Sequence, residues 1–180
     1  ECRQRHGGLT PVAYFNECGL FDVPAIAAHC VHISMEDIAI LRDKGVSVAS
    51  CPKSNMKLAS GFCPAANLLA AGVNIAVSTD SVASNNNLNM LEEAKTFALI
   101  HKGVTGDPTL ITPAQALYSI TRAGALAQGR PDCGLIKKGF RADLVVIDID
   151  HIYMRPMHNL LTNLIYSSCG NYVLLTKVDG

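Results

Sequence analysis

Tryptophan is absent from this 180-residue chain, aromatic residues of all kinds make up only 6% of it, and neither sign of charge is in excess. Fifteen lysines and arginines meet fifteen aspartates and glutamates, and no run of like charge stands out. Without a basic stripe or aromatics to stack bases, a nucleic-acid footprint is not expected. No apolar run approaches the roughly 20 residues that span a bilayer. The opening ECRQRHGGLT is polar throughout and lacks the pattern of a secretory signal, so no membrane partner is expected. The seven cysteines (Cys2, Cys18, Cys30, Cys51, Cys63, Cys133 and Cys169) are odd in number and scattered, with no C-x-x-C pair. That excludes a zinc knuckle or a redox dithiol and fits free thiols in a reducing cytoplasm. Several catalytic signatures are missing as well: G-x-S-x-G, the P-loop, G-x-G-x-x-G, H-E-x-x-H, and H-x-E followed by P-C-x-x-C. The chain starts without a methionine and stops at an Asp-Gly turn with no hairpin partner after it, so part of a longer protein is the expectation.

What is present is apolar material, 49% of residues, ample for a core. Over the first 103 residues one unit occurs three times: a short apolar strand, a polar loop, a helix, then glycine. The strands read as 25–30 (AIAAHC), 46–51 (VSVASC) and 73–80 (VNIAVSTD), short runs suited to a parallel sheet buried on both faces. Thr10 and Pro11 open one helix and Gly19 closes it. Ser34 with Asp37 forms a capping box, flanked by an Ile33 to Ile38 staple, and Gly45 ends that helix. Pro64 and Gly72 bracket the next. The spacing predicts a long helix over 88–102, with Leu91, Ala94, Phe97, Ala98 and His101 on one face. Thr112, Pro113 and Gln115 start the last helix of this part.

Near Pro131 the character changes. The stretch CGLIKKGFRADLVVIDID reads as two antiparallel strands around a Lys-Lys-Gly turn, followed by a helix near 158–168 and a strand near 171–178. The expected division is 1–130 and a β-rich 131–180 carrying one helix.

Parallel α/β sheets and barrels place their chemistry at the carboxyl ends of strands. Three ends carry candidates: His29, the loop SCPKSNMKLASG, and Asp80. A single strand-end histidine is more often a core residue satisfied by a carbonyl. Asp80 invites reading as a helix cap, but the next helix is expected seven or eight residues on, where Asn86 or Asn87 can cap it. An unpaired carboxylate at the end of a buried strand costs several kcal/mol unless a cation or donors meet it, so a metal or a catalytic proton is its natural partner. Ser54 and Asn55 either bind polar groups of a substrate or hold their loop by bonds to the backbone. Lys57 and His32 read as solvent-facing.

Four blocks in order, AAHCVHIS, CPKSNMKLASG, STDSVASNNNLNMLEE and GFRADLVVIDID, resemble those of the metal-dependent amidohydrolase superfamily. The nearest branch is the 5'-methylthioadenosine/S-adenosylhomocysteine deaminases, with the related chlorohydrolases beside them. The resemblance covers nearly the whole chain. It implies a (β/α)8 barrel, of which the three strands would be strands six, seven and eight, plus part of a small β-sandwich. It implies one divalent metal, zinc or iron, in the complete protein. Asp80 would ligate that metal and act as general base toward the attacking water, while His29 orients that water against the ring carbon bearing the amine. Ser81 stands where relatives often carry glycine.

The superfamily's H-x-H pair, and the histidine and glutamate of its fifth strand, have no counterpart in these 180 residues. A single presumptive ligand falls short of the three that catalytic zinc takes from protein, so the chain alone is expected to hold no metal and to be inactive. A barrel needs about 250 residues. Three strands therefore leave edges and apolar faces exposed, and self-association into a homo-oligomer is expected. Three functional readings follow: a deaminase of adenosine-type thioethers, a ring hydrolase acting on triazines, guanine or a similar small molecule, or a non-catalytic, self-associating remnant.

Overall fold

The strand, loop, helix rhythm becomes a parallel sheet in the computed structural model, which describes residues 1–180. In chain order the elements are α1 (Cys2–Arg5), α2 (Pro11–Glu17), β1 (Ile26–Ala28), α3 (Met35–Asp43), β2 (Ser47–Ser50), α4 (Pro52–Lys57), α5 (Ala65–Ala70), β3 (Ile75–Val77), α6 (Val82–Asn85), α7 (Met90–Thr105), α8 (Pro113–Ile120), α9 (Arg122–Ala127), β4 (Leu144–Ile147), α10 (Leu160–Tyr166) and β5 (Val173–Lys177). β1, β2 and β3 pair in that order, all parallel, with Ala27 opposite Val48 and Ala49 opposite Ala76. Each strand is shorter than the apolar run that announces it, yet backbone pairing continues past its end. His29 N–H donates to the Ala49 carbonyl and Ser78 N–H to the Ser50 carbonyl, both at 2.8 Å. The three carboxyl ends are thereby tied side by side on one edge of the sheet.

The helices begin where their caps predict. Ser34 and Asp37 close a reciprocal capping box on α3, and Thr112 and Gln115 do the same on α8. Thr10 accepts from Ala13 N–H at the start of α2 and donates its hydroxyl to the buried Asp37 carboxylate. One correction concerns α7: its cap is Asn89, whose side chain accepts from the Leu91 and Glu92 N–H groups, rather than Asn86 or Asn87. Asn86 instead ends α6 in a left-handed conformation, at φ 64°. A one-turn helix thus lies between Asp80 and the long helix, which itself runs three residues beyond its predicted end to Thr105, where Gly106 caps it.

Val48, Ile75 and Val77 from the sheet meet Leu41, Leu68, Phe97 and Ala98 from the helices, and Ile111 from the loop before α8, in one core. Burying each of the larger side chains is worth roughly 1.5–3 kcal/mol. His101 joins this core with its ring edge-on to Phe97, centroids 4.9 Å apart. Burial pushes its imidazole down from the ordinary 6.5 to about 4. The unfolded chain therefore binds a proton that the folded chain refuses between those values. His101 leaves stability intact above pH 6.5 and removes roughly 3 kcal/mol as pH falls through the window to about 4. Urea unfolding of the wild type and His101→Leu at pH 7 and pH 4.5 measures this. The wild type should lose more stability between the two pH values, and equal losses would clear His101.

Beyond residue 131 the expected hairpin around Lys137, Lys138 and Gly139 does not form. β4 pairs antiparallel with β5 instead, Val145 opposite Thr176 and Val146 opposite Leu175. The physical reason lies in α9. Arg122 donates its guanidinium to the carbonyls of Pro131 and Cys133 at 2.8 and 2.6 Å. Gly134, at φ 79°, lies so close that a Cβ would sit 2.7 Å from Arg122 Cα. Segment 131–143 is thus docked on a helix end and its backbone is committed there. α10 packs on α7 and α8 and places Ile165 in the main core. Leu144, Val145, Val146, Leu174 and Leu175 remain exposed, and β1 is an edge strand with Ile26 exposed. No helix is long and apolar enough to cross a membrane.

Candidate active site

His29 and Asp80 leave β1 and β3 in the same unusual way, at φ 66° and 59°, in the left-handed region that favours glycine. Cys30 follows His29 there at φ 49°. Such backbone costs of order 1–3 kcal/mol per residue and persists where surrounding bonds over-determine it. Here those bonds come from the loop after β2. Ser54 and Asn55 lie on α4, which starts directly after Cys51 with Pro52 at its first position, and both are buried.

Ser54 Oγ donates to Asp80 Oδ2 at 2.6 Å, and Ser84 Oγ donates to the same oxygen at 2.8 Å. Asn55 Oδ1 lies 2.9 Å from His29 Nδ1, so that nitrogen donates and Nε2 is left without a hydrogen-bond partner. Nε2 faces Asp80 Oδ2 across 4.0 Å. That gap is too long for a direct hydrogen bond, yet one small atom can touch both groups. The structure thus brings together all four residues singled out from the sequence. The partners of Ser54 and Asn55 differ from the loop-holding expectation. They are the side chains of Asp80 and His29, not the loop's own backbone.

The electrostatics follow from these bonds. The Ser54 hydroxyl, then that of Ser84, then the Ser81 N–H hold the Asp80 carboxyl below the usual carboxylate range, with His29 adding a smaller Coulombic pull. Asp80 is thus kept as an anion that donors surround and no lysine or arginine neutralises. Cys30 and Cys51, close by, are pushed up to about 11 by burial. Neither is a thiolate near neutral pH, so neither is an activated nucleophile.

Asp80 suits a hard or borderline divalent cation as one carboxylate ligand. No three or more His, Cys, Asp or Glu side chains converge anywhere in the chain to complete such a site. The other polar candidates sit apart: His32 is exposed, and Lys57 is exposed while bonding the Ala83 carbonyl at 3.2 Å and the Asn86 side chain. A cavity of about 590 Å³ opens between Met56, Glu92, Leu99 and Cys169, on a surface that includes neither His29 nor Asp80.

Behind the site is a group that sequence reading passed over. Glu93 is buried in α7, where burial raises its carboxyl above the ordinary range. Its Oε1 accepts from Asn85 Nδ2 at 2.7 Å, and Asn85 Nδ2 also donates to the Thr79 carbonyl at 2.6 Å. The available signal was a charged residue one turn before Phe97, on the stripe that the periodicity assigns to the core.

Residues 2–180 match the sequence profile of the Amidohydrolase family. The 5-methylthioadenosine/S-adenosylhomocysteine deaminase of Moorella thermoacetica is 48% identical over 174 residues, 96% of this chain and 41% of that protein. The crystal structure of an adenosine deaminase from Xanthomonas campestris with bound zinc superposes with a TM-score of 0.95 at 39% identity, covering 99% of this chain and 41% of that one. The zinc complex of atrazine chlorohydrolase from Arthrobacter aurescens gives 0.93 at 25% identity, over 99% and 40%. The chain therefore spans about two fifths of the length of the proteins it matches.

Proposed function

Because the chain belongs to the amidohydrolase family, we propose that it forms the His29 and Asp80 side of the active site of a metal-dependent hydrolase that deaminates an aminated heterocycle. 5'-Methylthioadenosine or S-adenosylhomocysteine is the substrate we favour, since the deaminase of Moorella thermoacetica carries that name and shares 48% of aligned residues. The observation that carries the reading is the left-handed Asp80, held as an anion by two serine hydroxyls and facing His29 Nε2 across 4.0 Å. In this reading β1, β2 and β3 are strands six, seven and eight of a (β/α)8 barrel, and residues 131–180 are part of a small β-sandwich.

Each residue has a defined task. Asp80 gives one ligand to a divalent metal, zinc or iron, and takes a proton from the attacking water. His29, fixed as the Nδ1–H tautomer by Asn55, uses Nε2 to orient that water and to steady the charge that develops as it adds to the ring. Ser54 and Asn55 keep the two groups in place. The metal, when bound, makes water a competent nucleophile near neutral pH. Its other ligands come from outside these residues, and the chain alone is inactive. The exposed faces of β4 and β5 and the β1 edge support association with further chain or with copies of itself. A triazine or guanine-type ring hydrolase is the second reading, supported by the likeness to atrazine chlorohydrolase.

Metal content and amine release from 5'-methylthioadenosine, measured on the 180-residue chain and on the product of the complete reading frame, test the proposal. The longer product should hold about one metal per chain and deaminate, and the shorter should do neither. Release of chloride from a triazine with no deamination would favour the second reading. Turnover by the short chain would overturn its assignment as inactive alone.

A further inference from the structure

We propose that Glu93 is a positioning residue that sets the separation of α4 and α6, the two short helices whose serines bond Asp80, and so fixes Asp80 against Ser54 and His29; this rests on the reading of Asp80 as the reacting carboxylate. The observation is a buried carboxylate where the fold needs none. Glu93 shares its helix face with Ala94, Phe97 and Ala98, all buried, and is itself 1% exposed. The Lys53 ammonium pairs with the neighbouring Glu92, 2.9 Å from its Oε1. Glu93 therefore has no ion pair that would explain its burial as a stability device. Each of its oxygens instead reaches a different short helix, Oε1 the end of α6 and Oε2 the start of α4.

Oε1 accepts from Asn85 at 2.7 Å, and the second hydrogen on that nitrogen goes to the Thr79 carbonyl at 2.6 Å. Asn85 is buried, and Thr79 is the residue before Asp80. The left-handed turn at Asp80 is thus closed from behind by an amide that Glu93 orients. Oε2 lies 3.4 Å from the backbone N–H of Lys53, in the first turn of α4, next to the Ser54 that bonds Asp80 and the Asn55 that bonds His29. One carboxylate accepts from both helices. Glutamine at this position has one oxygen for two donors, and its amide nitrogen must face either Asn85 or Lys53 donor to donor.

The test is Glu93→Gln in the product of the complete reading frame, supplied with saturating zinc. The expected result is a fall in kcat of about 10- to 100-fold, the range for groups that act behind a site, with KM within about twofold because Glu93 touches no substrate. In a Ser54→Ala background the same change should cost less than about threefold, since the contact it protects is already gone. Folded, zinc-loaded Glu93→Gln with wild-type kcat would overturn the proposal, as would an equal loss in both backgrounds. Should Glu93→Gln fail to fold, Asn85→Ala breaks the same link and carries the same expectation. Amide hydrogen exchange gives a readout independent of activity: exchange should quicken at residues 79–85 and 53–55 while 94–101 stay protected. A uniform change along the chain would make Glu93 a structural residue only. If the wild type shows no deaminase activity, the functional reading falls and the exchange pattern alone decides for or against Glu93.

Discussion

Replacing Asp80 by alanine in the product of the complete reading frame is expected to lower deaminase turnover by about 10⁴-fold or more, because it removes a general base and a metal ligand together. Bound zinc should fall in the same preparation. The companion variant Asp80→Asn separates charge from packing. Asparagine still offers an oxygen to Ser54 and Ser84, so it keeps the two hydroxyl contacts of 2.6 and 2.8 Å while losing the anion. Both variants should be inactive. Only the alanine variant should also unfold earlier, by about 1–3 kcal/mol, since it strands the buried Ser54 hydroxyl. The acid limb of the wild-type pH profile should lie below the ordinary carboxylate range, as Ser54, Ser84 and the Ser81 N–H hold the Asp80 carboxyl down. Full activity and metal content in Asp80→Asn would remove Asp80 from the chemistry.

His29→Gln carries the second large effect. Glutamine can still meet Asn55 but has no group to accept or return a proton, so kcat should drop by about 10²- to 10⁴-fold. Zinc content should stay close to wild type, because His29 is assigned to the water and not to the metal. His32→Ala supplies the contrast: its side chain is exposed, and activity should be unchanged. Loss of zinc in His29→Gln would move His29 into the ligand set. Equal activity in the His29 and His32 variants would sink the assignment of His29.

The parts of the fold that could be read in advance are those encoded within a few residues. The Ser34 and Asp37 box, the Thr112 and Gln115 box and the three apolar runs each declare themselves locally, and the structure places elements on all of them. His29 and Asp80 were legible because a polar residue closing an apolar run stands out against its neighbours. What depended on distant pairing was not legible. β4 meets a strand 26 or more residues away, and the nearer Lys-Lys-Gly signal misled because the docking of Gly134 on Arg122 leaves no local mark. The choice of Asn89 over Asn86 and Asn87 was hidden for a related reason. All of these asparagines are competent caps, and side-chain bonds elsewhere assign the work: Asn86 meets Lys57 and Asn87 meets Glu92. Ser54 and Asn55 were found but their partners were not, since each partner comes from a different strand. Glu93 was missed because its partners, Asn85 and the Lys53 N–H, lie on other helices and leave no mark beside it in the sequence.

The left-handed backbone at His29, Cys30 and Asp80 bears on anyone who would redesign this protein. A search that rewards backbone conformation alone would write glycine at 29, 30 and 80, since glycine adopts the left-handed region without a Cβ penalty. Two of those three changes delete the residues proposed to do chemistry. Redesign that scores backbone strain alone will therefore yield inert proteins unless positions 29 and 80 are held fixed.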